Sequence, residues 1–131
     1  MLLVLDANVV VQIVITGNVL GPLTGHDLIA PPIMRSEALS SLSEMAFRGD
    51  IPPDAARQAV DGLAALKIRM ERPPSLDLRA WDIARSLGWA KTYDAEYVAL
   101  AQIHDVPLVT IDQRMRRGAG HLVAMPHLTE L

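Results

Sequence analysis

The sequence predicts an α/β fold: a three-layer α/β/α sandwich around a mainly parallel central sheet. Two observations carry this. LLVL at 2–5 is a short continuous apolar run, the composition of a strand covered on both faces, and LIAPP at 28–32 and PLVTI at 107–111 supply further short strands. The stretches between them carry apolar residues at helical spacing, and strands separated by helices imply a parallel sheet with helices on both faces.

Taken in order, LLVL is the first strand. ANVVVQIVI at 7–15 is ambiguous, because its β-branched residues favour an extended chain. It is read as a helix, since two adjacent strands would need a turn signal and Gly17 arrives only after Ile15. LIAPP ends the second strand. IMRSEALSSLSEMAFRG at 33–49 follows as a helix, with Ile33, Ala38, Leu42, Met45 and Ala46 at helical spacing and Gly49 as the stop. PPDAARQAVDGLAALKI begins a third helix, with Pro53 near its first turn and Asp54 early in it. Pro73 and Pro74 break the chain before LDLRAWDIARSLGW, a helix with Leu76, Trp81, Ile83, Ala84 and Leu87 for its buried side. The stretch from 50 to 90 thus reads as an insertion of paired helices. TYDAEYVALAQIHD is a fifth helix, with Asp94 at its first turn. PLVTI is a strand ending at Asp112, QRMRRGAG a short basic turn, and HLVAM at 121–125 a last strand.

The 131 residues fit one domain, 1–131, able to bury a real core, and half of them are apolar with few aromatics, so that core is aliphatic. The absence of cysteine excludes a disulfide framework, a thiolate zinc site and a cysteine nucleophile, and fits a reducing compartment. Twelve basic against fifteen acidic residues leave a formal charge of −3, so the whole-chain charge gives no push toward nucleic acid. The apolar start lacks the basic flank of a signal peptide and is interrupted by Asp6, Asn8 and Gln12; no window reaches the roughly 20 apolar residues of a membrane span. A soluble cytoplasmic protein with no membrane partner is expected.

Asp6 follows LLVL and Asp112 follows LVTI, so both acids stand at the C-terminal ends of predicted parallel strands, the edge where open α/β sheets bind ligands. If those strands are neighbours, the two carboxylates lie only a few ångströms apart and need a counter-charge. A divalent cation is the simplest supply, and hard cations prefer oxygen ligands. Asp94, taken alone, reads as a helix cap and Glu37 as a solvated helix face. Glu44 shares a face with Glu37 but lies two turns away, at ~10 Å, and reads with Glu96 and Asp105 as surface charge. Histidines 26, 104, 121 and 127 show no metal-ligand spacing. The serines of RSEALSSLS lack a nucleophile-elbow context, and GPLTG at 21–25 lacks the lysine and hydroxyl of a phosphate loop.

Four segments, LVLDANVVV, MRSEALSSL, YDAEYVALA and LVTIDQRM, occur in that order across nearly the whole chain. Together they resemble the PIN-domain ribonucleases, most closely the VapC toxins of VapBC toxin–antitoxin systems. The resemblance implies a PIN-like sandwich, Mg2+ or Mn2+ as cofactor and endoribonuclease activity, a hydrolase reaction that cleaves RNA. It implies a cognate VapB-type antitoxin in the active-site groove, and commonly a toxin homodimer. It carries the four catalytic, metal-binding acids onto Asp6, Glu37, Asp94 and Asp112, with Asn8 and Thr110 in the supporting polar positions. Asp6 and Asp94 are then the expected direct ligands, with Asp112 and Glu37 bound directly or through water. Glu96 departs from the pattern by adding a charge beside the third motif. Arg114, Arg116 and Arg117 are candidates to hold flanking RNA phosphates, with Lys91 a weaker one.

Three rivals are weighed. A phosphotransferase of the haloacid-dehalogenase type wants a second aspartate where Asn8 stands. A receiver-type domain wants an early acidic pair and a late lysine, and neither is evident. A non-catalytic PIN-like module that pairs with an antitoxin on operator DNA would suit the apolar composition.

Overall fold

The computed structural model describes residues 1–131. Four strands, β1 (Leu2–Leu5), β2 (Asp27–Ala30), β3 (Arg69–Met70) and β4 (Leu108–Val109), form one sheet in the order β3-β2-β1-β4. All three pairings are parallel. The helices are α1 (Ala7–Ile15), α2 (Ile33–Phe47), α3 (Pro53–Ala65), α4 (Leu76–Leu87), α5 (Tyr93–His104) and α6 (Gln113–Ala119). Short 3-10 turns at Gly21–Leu23 and Leu128–Glu130 complete the chain.

From β1 the chain steps outward through β2 to β3, then returns to the other side of β1 as β4. Right-handed crossovers then put α1, α2 and α3 on one face and α4 and α5 on the other. The packing agrees, since α1, α2 and α3 contact one another while α4 pairs with α5. The reversal of strand order falls between β1 and β4. Open α/β sheets form a ligand crevice at such a reversal, beyond the carboxyl ends of the strands.

Residues 7–15 are helical despite their β-branched content. Asp6 stands at the N-cap in extended conformation, and its carboxylate accepts the Ala7 N–H at 2.7 Å. Val9, Val10, Val11, Ile13 and Val14 are all buried, so tertiary packing overrides propensity. The core is aliphatic, built from Leu3, Val4 and Leu5 of the central strand, Ile29, Met34 and Leu42, and the Ala95–Ala101 run of α5.

Four sequence expectations are corrected. The stretch between 50 and 90 is no insertion of paired helices: α3 ends at Ala65, and β3 pairs with β2 through Ile29↔Arg69 and Ala30↔Met70. An exposed two-residue edge strand bearing an arginine carries no apolar signature. Residues 113–119 are a helix rather than a basic turn, because Asp112 caps it, accepting the N–H groups of Arg114 and Met115. Trp81 is 53% exposed, on the outside of α4, with the Arg85 guanidinium 4.8 Å from its ring. HLVAM at 121–125 runs beside β4 but forms no strand. It makes one ladder-like bond, Leu108 N–H to the Ala124 carbonyl at 2.9 Å. The Arg116 guanidinium takes the carbonyls of Met125 (2.6 Å) and Pro126 (3.3 Å) that an extended ladder would use, and Pro126 has no N–H to give.

Arg116 also donates to the Thr110 carbonyl at 3.0 Å, which ties the C-terminal segment to the end of β4. Arg116→Ala is expected to destabilise the fold by about 2 kcal/mol, the scale of losing charge-assisted bonds to otherwise orphaned carbonyls. Lysine, lacking the planar fork, is expected to rescue little of it. Thermal denaturation with limited proteolysis checks this: cleavage within 121–131 accelerates if the clamp is real, and an unchanged Tm and digestion pattern refutes it.

Candidate active site

The β1–β4 pairing, Val4↔Leu108 and Leu5↔Val109, brings the ends of these strands side by side. Asp6 follows one and Thr110 the other, and the Thr110 hydroxyl donates to Asp6 Oδ2 at 2.7 Å. Thr110 Oγ1 in turn accepts the Asp112 N–H at 3.0 Å, so a single hydroxyl fixes both acids at the sheet edge. Asn8 Oδ1 lies 3.5 Å from the Ile111 N–H, a long contact across the same gap. Asp6 and Thr110 are the two buried polar side chains of the chain, at 6% and 1% exposure.

Glu37 projects from the first half of α2, half-buried, and its Oε1 accepts the Tyr97 hydroxyl at 2.5 Å. Tyr97 is itself fully buried on α5. Asp94 is the second residue of α5, exposed at the mouth of the site. It is no cap: the N-cap position is Thr92, without a side-chain bond. Asp112 caps α6 through Oδ1, and Arg114 Nε lies 3.7 Å from the same oxygen.

The four acids act on one another electrostatically. Burial pushes the Asp6 carboxyl up to about 6, and the charges of Asp94 and Glu37 add to that, against the opposing bonds from Thr110 and Ala7. Glu37 is raised by desolvation and by Asp94, with the Tyr97 bond pulling the other way. Asp94 is raised by desolvation and by Asp112, and Arg114 partly offsets it. No basic side chain offsets Asp6 or Glu37. The sheet edge is therefore a crowded all-oxygen site short of positive charge, and such a donor set suits a hard divalent cation. The carboxylates are not drawn together into a finished cage, since no three acidic or histidine side chains are gathered closely enough to hold an ion.

Beside the acids opens a cavity of about 500 Å3, lined by Glu37, Asp94, Trp89, Lys91, Tyr93 and Arg114 among others. Arg114 and Lys91 thus both line this cavity. Arg117 is exposed on α6 away from this cavity, and Arg116 is engaged with backbone carbonyls. Glu44 is exposed and paired with Arg48 at 3.7 Å. Asp105 ends α5 in the left-handed region, exposed. Glu96 is less of a surface charge than expected, being half-buried, and desolvation together with Asp77 raises its carboxyl.

Tyr97, Trp89 and Tyr93 are site residues that the sequence motifs do not single out. A signal existed for Tyr97: a phenol on a helix face otherwise made of Ala, Val and Leu needs a partner for its hydroxyl.

A PIN-domain family model matches residues 3–120. The ribonuclease VapC1 of Mycobacterium tuberculosis, from strains CDC 1551 and H37Rv alike, is 34% identical over 92 residues, covering 70% of this chain and 67% of that protein. Among solved structures, PAE2754 from Pyrobaculum aerophilum superposes with a TM-score of 0.74 at 19% identity, covering 98% of this chain and 90% of that one. VapBC2 from Rickettsia felis, bound to a promoter DNA fragment, gives 0.66 at 12% identity, with 97% and 98% covered. VapBC-1 from nontypeable Haemophilus influenzae gives 0.63 at 16%, with 98% and 99% covered. At such identities these structures speak for the fold, and the sheet order, the family model and the VapC1 relationship agree with them. The chain belongs to the PIN-domain family, as a distant relative of the ribonuclease VapC1.

Proposed function

We propose that this chain, acting as a single PIN domain over 1–131, is a Mg2+- or Mn2+-dependent endoribonuclease and the toxin of a VapBC pair. The observation that carries the proposal is the position of Asp6 and Asp112 just after the paired strands β1 and β4, with the charges of Asp94 and Glu37 reaching Asp6 and no basic side chain offsetting it. The relationship to a ribonuclease supports the activity. The two VapBC neighbours support a VapB-type antitoxin as partner; homodimerisation and a cytoplasmic location are further parts of the proposal. No helix is long and apolar enough to cross a membrane.

Asp6 and Asp94 would hold the ion, with Glu37 and Asp112 completing its surroundings. When bound, such an ion makes water a competent nucleophile near neutral pH and neutralises charge developing on the phosphate. The chain's own residues do the positioning. Thr110 and the Ala7 N–H lock the Asp6 carboxylate, Tyr97 steers Glu37, and the Asp112 cap fixes the start of α6 and with it Arg114. Asp94 accepts no bond within the chain and is free to turn toward a ligand. No side-chain nucleophile is required, in keeping with a site built from carboxylates.

Purified protein incubated with total cellular RNA and Mn2+ is expected to cut at defined sites, leaving 5′-phosphate and 3′-hydroxyl ends, and excess EDTA is expected to abolish every cut. Mapping the ends names the substrate. The rival reading, a non-catalytic module acting with an antitoxin on operator DNA, draws on the unfinished cage. Tight antitoxin binding with no metal-dependent cuts on any RNA would decide for it.

A further inference from the structure

The cavity beside the acids has a lining of three chemical kinds: carboxylates, aromatic rings and cations. Glu37 and Asp94 line it together with two aromatic side chains, Trp89 and Tyr93, and two cations, Lys91 and Arg114. Its volume of about 500 Å3 accommodates a nucleotide. A purely structural aromatic pair would be sealed in the core, yet Tyr93 is 48% exposed and Trp89 remains partly open. Trp89 is also held in place. Its backbone N–H reaches the Ala84 carbonyl at 2.8 Å, its carbonyl accepts the Arg85 guanidinium at 2.7 Å, and its indole lies against Gly118. A Cβ at Gly118 would stand 2.9 Å from Trp89 Cζ2, so the glycine of α6 is what admits the ring.

We propose that this cavity is a stacking subsite for an unpaired RNA base next to the cut phosphate, with Trp89 and Tyr93 taking the base and Lys91 and Arg114 its phosphates. The inference rests on the ribonuclease reading and adds the form of its substrate. Side chains that hold a splayed base by stacking select single-stranded loops over duplex, because paired bases keep their faces covered. The lining fits this ligand better than an acidic peptide, because its two rings offer faces to a base while its two cations serve the phosphates.

The chain has two tryptophans, 81 and 89, and Trp81 lies outside the cavity, so Trp81→Phe leaves Trp89 as the lone indole reporter. A random-sequence single-stranded RNA of twenty nucleotides, titrated with Ca2+ in place of Mn2+, is expected to quench Trp89 fluorescence saturably, and the same RNA annealed to its complement is expected to quench far less. Tyr93→Leu, and Gly118→Ala, which puts no side chain of its own on the substrate, are each expected to weaken binding roughly tenfold. Circular dichroism confirms that each variant is folded, and Lys91→Ala gives a folded second variant that should flatten the salt dependence. Cleavage with Mn2+ but no quench overturns the subsite and leaves the ribonuclease reading standing. Quench without cleavage under any metal keeps the RNA subsite and removes the nuclease. Quench by polyglutamate instead of RNA, or neither quench nor cleavage, overturns the subsite as well.

Discussion

Asp6→Asn is expected to lower RNA cleavage by roughly three orders of magnitude, the scale of removing a preorganised electrostatic group, and yet to make the metal-free protein more stable at neutral pH. Both follow from one buried carboxylate. The Ala7 N–H bond survives the change on asparagine Oδ1, and the Thr110 contact survives reversed: the amide donates to Thr110 Oγ1, which can accept it beside the Asp112 N–H while its own hydrogen gives up the Asp6 acceptor. What disappears is the charge. The carboxyl of Asp6 rises from 3.8 in the unfolded chain to about 6 in the fold. Below 3.8 both states are protonated and there is no penalty. As pH climbs from 3.8 through 6 the unfolded chain releases its proton first, and stability falls. Above 6 the full penalty stands, two pKa units or about 3 kcal/mol. Glu37, Asp94 and Glu96 are raised as well and add to the same trend. Thermal denaturation in EDTA from pH 4.5 to 8 is therefore expected to show the variant overtaking wild type as pH rises. Mn2+ should then restore the wild type and leave the variant nearly unmoved. A variant less stable than wild type at pH 7.5 without metal, or one that still cuts RNA at the wild-type rate, refutes this account of Asp6.

Much of this arrangement was legible in the sequence because its causes are local. LLVL and LVTI announce buried strands, and an acid directly after each is costly anywhere except at a strand end facing a ligand. The parallel register then follows from the helices between them. Helix α1 was harder, since Val9, Val10, Val11, Ile13 and Val14 favour a strand; the lack of a turn before Gly17 decided it, and the structure adds the cap at Asp6. Where reading failed, the determinant was not local. β3 is a strand only because β2 offers an edge to Arg69 and Met70. The HLVAM run is denied a ladder by an arginine five residues upstream of its start, at Arg116. Trp81 groups in sequence with the buried side of α4, yet that side is Leu76, Ala80, Ile83 and Ala84, and Trp81 falls outside it. The same holds at the site. The acids are recognisable in sequence, but the partner of Glu37 lies sixty residues away. The ring beside Asp94 depends on a glycine in another helix.

Tyr97→Phe is the sharpest test of that distant partnership. It deletes one oxygen from a fully buried side chain and leaves the ring to fill the same volume, so the core is preserved. The half-buried Glu37 then loses its bond and finds water instead, a stability cost of about 1 kcal/mol. The effect on cation binding is expected to be much larger, a 10- to 100-fold loss of Mn2+ affinity by calorimetry, as is usual for groups that orient a ligand. Without the bond, Glu37 is also free to turn away from Asp6 and Asp94, and kcat should fall with the affinity. The pH dependence separates positioning from packing. The Tyr97 bond pulls the Glu37 carboxyl down against desolvation and the Asp94 charge. Its removal lets that carboxyl rise further, so protons compete better with the cation, and the affinity deficit should widen as pH falls and narrow as it rises. A purely structural tyrosine predicts something else: a lower Tm with unchanged Mn2+ affinity at every pH. That outcome would reduce Tyr97 to a core residue and leave Glu37 to be positioned by α2 alone.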